Sequence, residues 1–292
     1  MHEPVLVDVV AEMLVTDPSG LYVDGTVGGA AHARKILERL SPEGCLWGFD
    51  WDEGMLEIAR RRLSSDSERV TLFHDPFSQI GARLAGAGRR AHGVLLDLGL
   101  NTEVLDDPAR GFQYRDPSSP LDMRMDRRRE RTAASILNGS SEEDLLRLFR
   151  ERGELRRPRA AARAIVRERE RAPLATSGDL IRGLRRGGAL SGGPAELSRL
   201  YQALRFEVNG ELEELDAALR QAPEWLVVSG RLAVLSYESL SDRRVKQVDR
   251  PGPGHVPHMR SLTRRVIRPD RDETRRNPRA RSAKLRVLER TV

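Results

Sequence analysis

From Leu21 onward the chain alternates short apolar runs with stretches in which apolar residues recur every three or four positions. Leu21 to Asp24, Cys45 to Phe49, Val70 to Phe73 and Gly93 to Leu96 read as strands. His32 to Leu37, Gly54 to Leu63 and Gln79 to Leu84 read as the helices between them, and Val5 to Leu14 is a helix leading into the first strand. Pro76 stops the third strand, because it cannot donate to a ladder. Such alternation argues for a parallel α/β sheet that binds its ligands at the carboxyl ends of its strands. Asp24, Asp50, Asp75 and Asp97 all fall at such ends.

More than a hundred residues then separate Asp97 from the next clear strand, Leu232 to Ser236, far more than an ordinary crossover needs. Thr132 to Leu148, Arg159 to Arg171 and Ser177 to Leu184 read as polar, arginine-rich helices with narrow apolar stripes. This predicts a discontinuous sheet domain, residues 1–104 and 199–292, with a small helical domain, 105–198, inserted over the active face. Leu200 to Leu219 reads as one long amphipathic helix, Arg250 to His258 as a Pro/Gly loop, and Leu262 to Ile267 and Lys284 to Leu288 as the final strands.

The loop after the first strand is built of small residues: Gly25, Gly28, Gly29, Ala30 and Ala31. Such a loop lets a ligand approach the backbone at the start of the next helix. Asp50 lies about 20 residues further on, where α/β folds place a carboxylate that accepts two ribose hydroxyls. The unit reads as a nucleoside cradle. It lacks the G-x-G-x-x-G spacing that closes on a pyrophosphate, and the Asp24-x-Thr26-x-Gly28 pattern suits S-adenosylmethionine rather than NAD.

Composition narrows the class. The 292 residues are 39% hydrophobic, enough for a sizeable core, and no apolar run approaches the roughly 18 residues of a membrane span. No secretory signal is visible at the start, so a cytoplasmic location and no membrane partner are expected. Cys45 is the single cysteine and falls in a core strand, which leaves no disulfide framework. His255 and His258 lack the cysteines or carboxylates that would complete a metal site, and no metal is assigned. The net charge of +6 is unevenly spread: residues 243–292 carry 16 basic and 5 acidic side chains, an excess of 11. With apolar residues interleaved, that segment looks like a basic face suited to a phosphate backbone.

Several stretches together resemble the MraW (RsmH) family of bacterial 16S ribosomal RNA cytosine N4-methyltransferases. They are His2-x-Pro4-Val5-Leu6, the loop through His32, Asp97-Leu98-Gly99, Arg110-Gly111-Phe112, and Pro120 to Asp126. Further along come Gln202 to Arg205 with Val208-Asn209, Ser239-Leu240 with Asp242-Arg243, and Asn277 to Arg286. The resemblance implies a Rossmann-like class I methyltransferase sheet, S-adenosylmethionine as cofactor, and 16S rRNA or the small ribosomal subunit as partner, with a homodimer allowed. It implies that Gly28, Ala30, Ala31 and His32 hold the methionine part, Asp50 the ribose and Phe77 the adenine. Asp97 would lie at the reacting end as the catalytic residue. Arg124, Arg243, Arg275, Arg276, Arg279, Arg281 and Arg286 are the RNA-binding candidates.

Departures from the family pattern fall near the active face. Ala30-Ala31 replaces Gly-Gly, and Asn101 to Val104 replaces Ser-Ser-x-Gln, which removes a polar contact at Val104. The family's Ser-Phe-His-Ser-Leu-Glu-Asp-Arg appears as Ser236 to Arg243, with Glu238 for the histidine and Ser241 for the glutamate. A carboxylate at 238 would repel phosphate unless Arg243 or Arg244 pairs with it. These changes keep two alternatives open: a diverged member that binds rRNA, and the cofactor, without transfer, and one that methylates another RNA cytosine.

Overall fold

The computed structural model describes residues 4–190 and 193–292; His2 of the opening motif and positions 191 and 192 of the expected insert lie outside them. Seven strands form one sheet: β1 Leu21–Asp24, β2 Cys45–Phe49, β3 Val70–Phe73, β4 Ala91–Asp97, β5 Leu226–Ser236, β6 Met259–Ser261 and β7 Lys284–Arg290. Their order is β3-β2-β1-β4-β5-β7-β6. The first five are parallel and β7 runs against both β5 and β6. The chain therefore starts mid-sheet, moves outward to β3, and returns to lay β4 beside β1. In open α/β sheets the ligand crevice lies at such a reversal, here beyond the carboxyl ends of β1 and β4.

The helices are α1 Val7–Leu14, α2 Ala31–Leu37, α3 Glu53–Arg62, α4 Ile80–Gly86, α5 Thr102–Asp106, α6 Ala133–Gly139, α7 Glu142–Glu151, α8 Pro158–Arg169, α9 Ser177–Arg186, α10 Pro194–Asn209, α11 Glu211–Trp225, α12 Ser239–Gln247 and α13 Arg271–Arg276. Among the described residues no helix is long and apolar enough to cross a membrane. The chain divides into two compact units, Met1–Gly99 with Leu212–Val292, and Leu100–Glu211. The first holds the sheet. Every residue of β1 and the centre of β4, Val94 to Leu96, are fully buried, as expected of parallel strands covered on both faces.

Four sequence expectations are corrected. The apolar period over Thr132 to Leu148 belongs to two helices, because Ser140 turns extended (ψ 151°) and the Ser141 side chain caps α7 by accepting from the Asp144 N–H at 3.1 Å. Leu200 to Leu219 is likewise split: α10 ends where Gly210 takes a left-handed φ of 67°, and α11 begins beyond it. The fifth strand starts at Leu226 rather than Leu232. Leu262 to Ile267 is not a strand; Met259–Ser261 is, and Ile267 makes only an isolated bridge to Leu285. Between them the Thr263 hydroxyl takes the Val287 N–H at 3.3 Å, which turns the backbone out of the ladder.

Candidate active site

The loop after β1 is threaded into the sheet by its own backbone. The Gly25 N–H donates to the Leu95 carbonyl and the Val27 N–H to the Phe49 carbonyl, both at 2.8 Å. A Cβ on Gly25 would stand 2.5 Å from Leu96 Cδ2 and 3.1 Å from Phe77 Cβ, so this position has no room for a side chain. Gly28 turns left-handed at φ 45° and donates its N–H to Asp50 Oδ2 at 2.9 Å. Ala30 is also left-handed, φ 62°, immediately before α2, a conformation that strains an L side chain. Ala31 opens the helix and is half-buried; His32, next along, is 7% exposed.

Three carboxylates converge on the strand ends. Asp24 is 1% exposed and accepts the Thr26 N–H at 3.1 Å; burial, with the charges of Asp97 and Asp50 adding to it, pushes its pKa up to about 7. Asp50 accepts from Gly28 on one oxygen and from the Asp52 N–H at 2.9 Å on the other, and burial raises its pKa to about 6. Asp97 ends β4, and its N–H donates to Thr26 Oγ1 at 2.7 Å. Its Oδ2 lies 3.5 Å from His32 Nε2, while Oδ1 is buried without a hydrogen-bond partner among the described residues. Burial raises the Asp97 pKa to about 6, with the nearby Tyr237 hydroxyl opposing the rise.

Phe77 is 4% exposed in a short turn after Pro76, its ring 6.1 Å from that of Trp51, which follows Asp50 directly. The structure thus brings Gly28, Ala30, Ala31, His32, Asp50, Phe77 and Asp97 to one edge of the sheet. Sequence reasoning missed Trp51 and Tyr237. An apolar residue next to Asp50 was the available signal for the first; for the second it was a tyrosine standing where the family's Ser-Phe-His stretch has phenylalanine, and the strand register sets it near Asp97.

The RNA candidates separate into two groups. Arg243, Arg275, Arg276, Arg279 and Arg281 are exposed. The last four ride on α13 and the turn Pro278–Ser282, which is fixed by the Asn277 side chain accepting the Arg279 N–H and by fully buried Ala280 and Ala283. Arg286 is 12% exposed and bonds Asp242 at 2.8 Å, with Lys284 3.6 Å from the same carboxylate, which holds the Asp242 pKa below its usual range. Arg124, in the helical unit, forks onto both Asp122 oxygens at 2.7 and 3.0 Å and reaches the carbonyls of Arg127 and Arg129. It organises its own loop. That loop is tied down by Arg110, which donates to the Arg124 and Met125 carbonyls, and by fully buried Asn209, which bonds Met123 and Met125. Glu238 caps α12, accepting from the Leu240 and Ser241 N–H groups at 2.5 and 2.8 Å. Arg244 pairs instead with Asp216.

A seven-stranded sheet of this order, with β7 reversed, a small-residue loop after β1 and a carboxylate after β2, defines a Rossmann-like class I methyltransferase. The family model of the MraW methylases matches residues 1–291, and the chain belongs to that family. Similar relatives include the protein named ribosomal RNA small subunit methyltransferase H of Thermobifida fusca, 43% identical over 99% of this chain and 93% of that one. Proteins of the same name from Chlorobaculum parvum and Chromohalobacter salexigens are each 42% identical over 99% of this chain, and 98% and 91% of theirs.

Proposed function

We propose that this chain transfers a methyl group from S-adenosylmethionine to the N4 amine of a decoding-site cytosine in 16S rRNA. The family and the names of its relatives support the small-subunit RNA as substrate. The observation that carries the chemistry is the unpaired, buried Oδ1 of Asp97 at the sheet's reversal point. A buried acceptor left without a donor among the described residues is costly unless a ligand supplies one, and an exocyclic amine does.

The residues present fit the cofactor. Asp50, held by two backbone N–H groups, keeps lone pairs for a ribose diol. Three carboxylates whose pKa values are all raised form a field that a cationic ligand relieves. S-adenosylmethionine, when bound, supplies an electrophilic methyl on a sulfonium. Asp97 accepts an N–H of the cytosine amine, which orients the nitrogen and stabilises the positive charge that grows on it as it takes the methyl. The displaced proton passes to Asp97 Oδ1. The target base must leave its stack to reach such a site, which suits looped RNA.

Single-turnover transfer to small-subunit particles at saturating cofactor tests this. Asp97→Ala is expected to lose transfer by 10² or more, on the order of a positioned proton acceptor, while binding cofactor and RNA. Transfer by that variant at the wild-type rate would remove Asp97 from the reaction.

A further inference from the structure

Thr26 ties the small-residue loop to the strand that carries Asp97. Asp24 at the end of β1 is in register with Leu95 of β4, and the Gly25 N–H continues that pairing by donating to the Leu95 carbonyl at 2.8 Å. The next N–H that β4 turns toward β1 is that of Asp97. It goes to a side chain, donating to Thr26 Oγ1 at 2.7 Å, the short end of the range for such a bond. The Thr26 N–H in turn donates to Asp24 Oδ1 at 3.1 Å, which fixes the turn that presents the hydroxyl. Toward β5, the Leu98 N–H donates to the Leu235 carbonyl at 2.8 Å. Asp97 is thus held between two hydrogen bonds, and the one on its own nitrogen is accepted by a side chain.

We propose that Thr26 is a positioning residue for methyl transfer, its hydroxyl oxygen fixing the Asp97 backbone, and with it the direction of the unpaired Oδ1, relative to the loop that receives the cofactor. The inference rests on the role given to Asp97 above. With Oδ2 settled 3.5 Å from His32 Nε2, the place of Oδ1 follows from where the Asp97 main chain sets its Cα–Cβ bond. Thr26 stands two residues before Gly28 and four before Ala30, so one residue opens the cradle and anchors the acceptor. Methyl transfer in line depends on that spacing, and a misplacement of about 1 Å costs up to about a hundred-fold in rate. A hydroxyl that merely satisfied a strand-end N–H would matter for stability and not for rate.

The test is single-turnover transfer to small-subunit particles at saturating cofactor, with cofactor affinity and urea unfolding measured alongside, for wild type, Thr26→Ser, Thr26→Val and Asp97→Ala. Valine keeps the shape of threonine without the acceptor, whereas serine keeps the acceptor without the methyl group. Thr26→Val is expected to transfer about 10- to 100-fold more slowly with cofactor affinity within about three-fold of wild type, and Thr26→Ser to stay within about three-fold in both. If the valine variant does not fold, Thr26→Cys, whose sulfur is a weaker acceptor, is expected to be slowed where serine is not. A wild-type rate in Thr26→Val, equal losses in the serine and valine variants, or a slower rate that more cofactor restores overturns the role of Thr26. If Asp97→Ala is inactive while Thr26→Val matches wild type, only this inference fails; if Asp97→Ala is fully active, the reading of Asp97 fails first.

Discussion

Asp24→Asn is expected to make the protein more stable at alkaline pH and no more stable in acid. Asp24 is 1% exposed, and its pKa stands at about 7 in the fold against 3.8 unperturbed. Between those values the folded state holds a proton that the unfolded state releases, so stability is greatest below about pH 4 and declines as pH rises to about 7. The roughly three-unit difference corresponds to an upper limit of about 4 kcal/mol. Asparagine removes the charge and keeps an oxygen for the Thr26 N–H, but its amide adds donors that must find partners. The expected net gain is therefore about 2 kcal/mol at pH 8, shrinking to nothing near pH 4. Urea unfolding of both proteins at several pH values measures it. A variant destabilised at pH 8, or a difference that does not vary with pH, would refute the argument that burial of the Asp24 charge costs stability. The same variant should bind S-adenosylmethionine more weakly, since a strained charge is retained where it meets a cation.

Other outcomes follow from the same geometry. Asp50→Ala should weaken S-adenosylmethionine binding by about 1 to 3 kcal/mol in calorimetry. Wild-type affinity should fall as pH drops from about 7 to about 5, because the raised carboxylates take protons and lose their attraction for a cation; a flat profile would contradict this. Replacing Arg279 and Arg281 together should flatten the slope of log RNA affinity against log salt by roughly 1 for each phosphate no longer neutralised, whereas an unchanged slope would mean that the face is merely solvated. Glu238→Ala should cost about 1 kcal/mol of stability by removing a helix cap and leave that slope unaltered; a steeper slope would show that Glu238 does face RNA.

The parallel part of the sheet was legible because β1 to β4 are short apolar runs, three of them ending in or just before an aspartate. The loop and Asp50 were legible from spacing alone, and their meeting is the Gly28 to Asp50 hydrogen bond. What sequence hid was of two kinds. Helix breaks were missed where the apolar period continues across them, although Ser140-Ser141 before three acidic residues and Asn209-Gly210 are capping signals. Side-chain fate was the other. Arg124 and Arg286 count as basic surface by composition, yet each is taken up by an aspartate whose approach only the folded chain shows. Glu238, feared as a repulsive charge, is engaged by two backbone amides of its own helix. Ala30 holds the left-handed conformation that made glycine the expected residue, and its methyl is buried at 2% exposure, which offsets part of the strain.

The central claim, methyl transfer to a cytosine amine accepted by Asp97, is tested most directly by mass spectrometry of nucleosides from small-subunit particles incubated with the protein and isotopically labelled S-adenosylmethionine. The account predicts labelled N4-methylcytidine at a single decoding-site position with wild type, and none above background with Asp97→Ala. Label on another atom or nucleotide, or equal label from the two proteins, would contradict it; so would binding of both ligands by wild type with no label transferred.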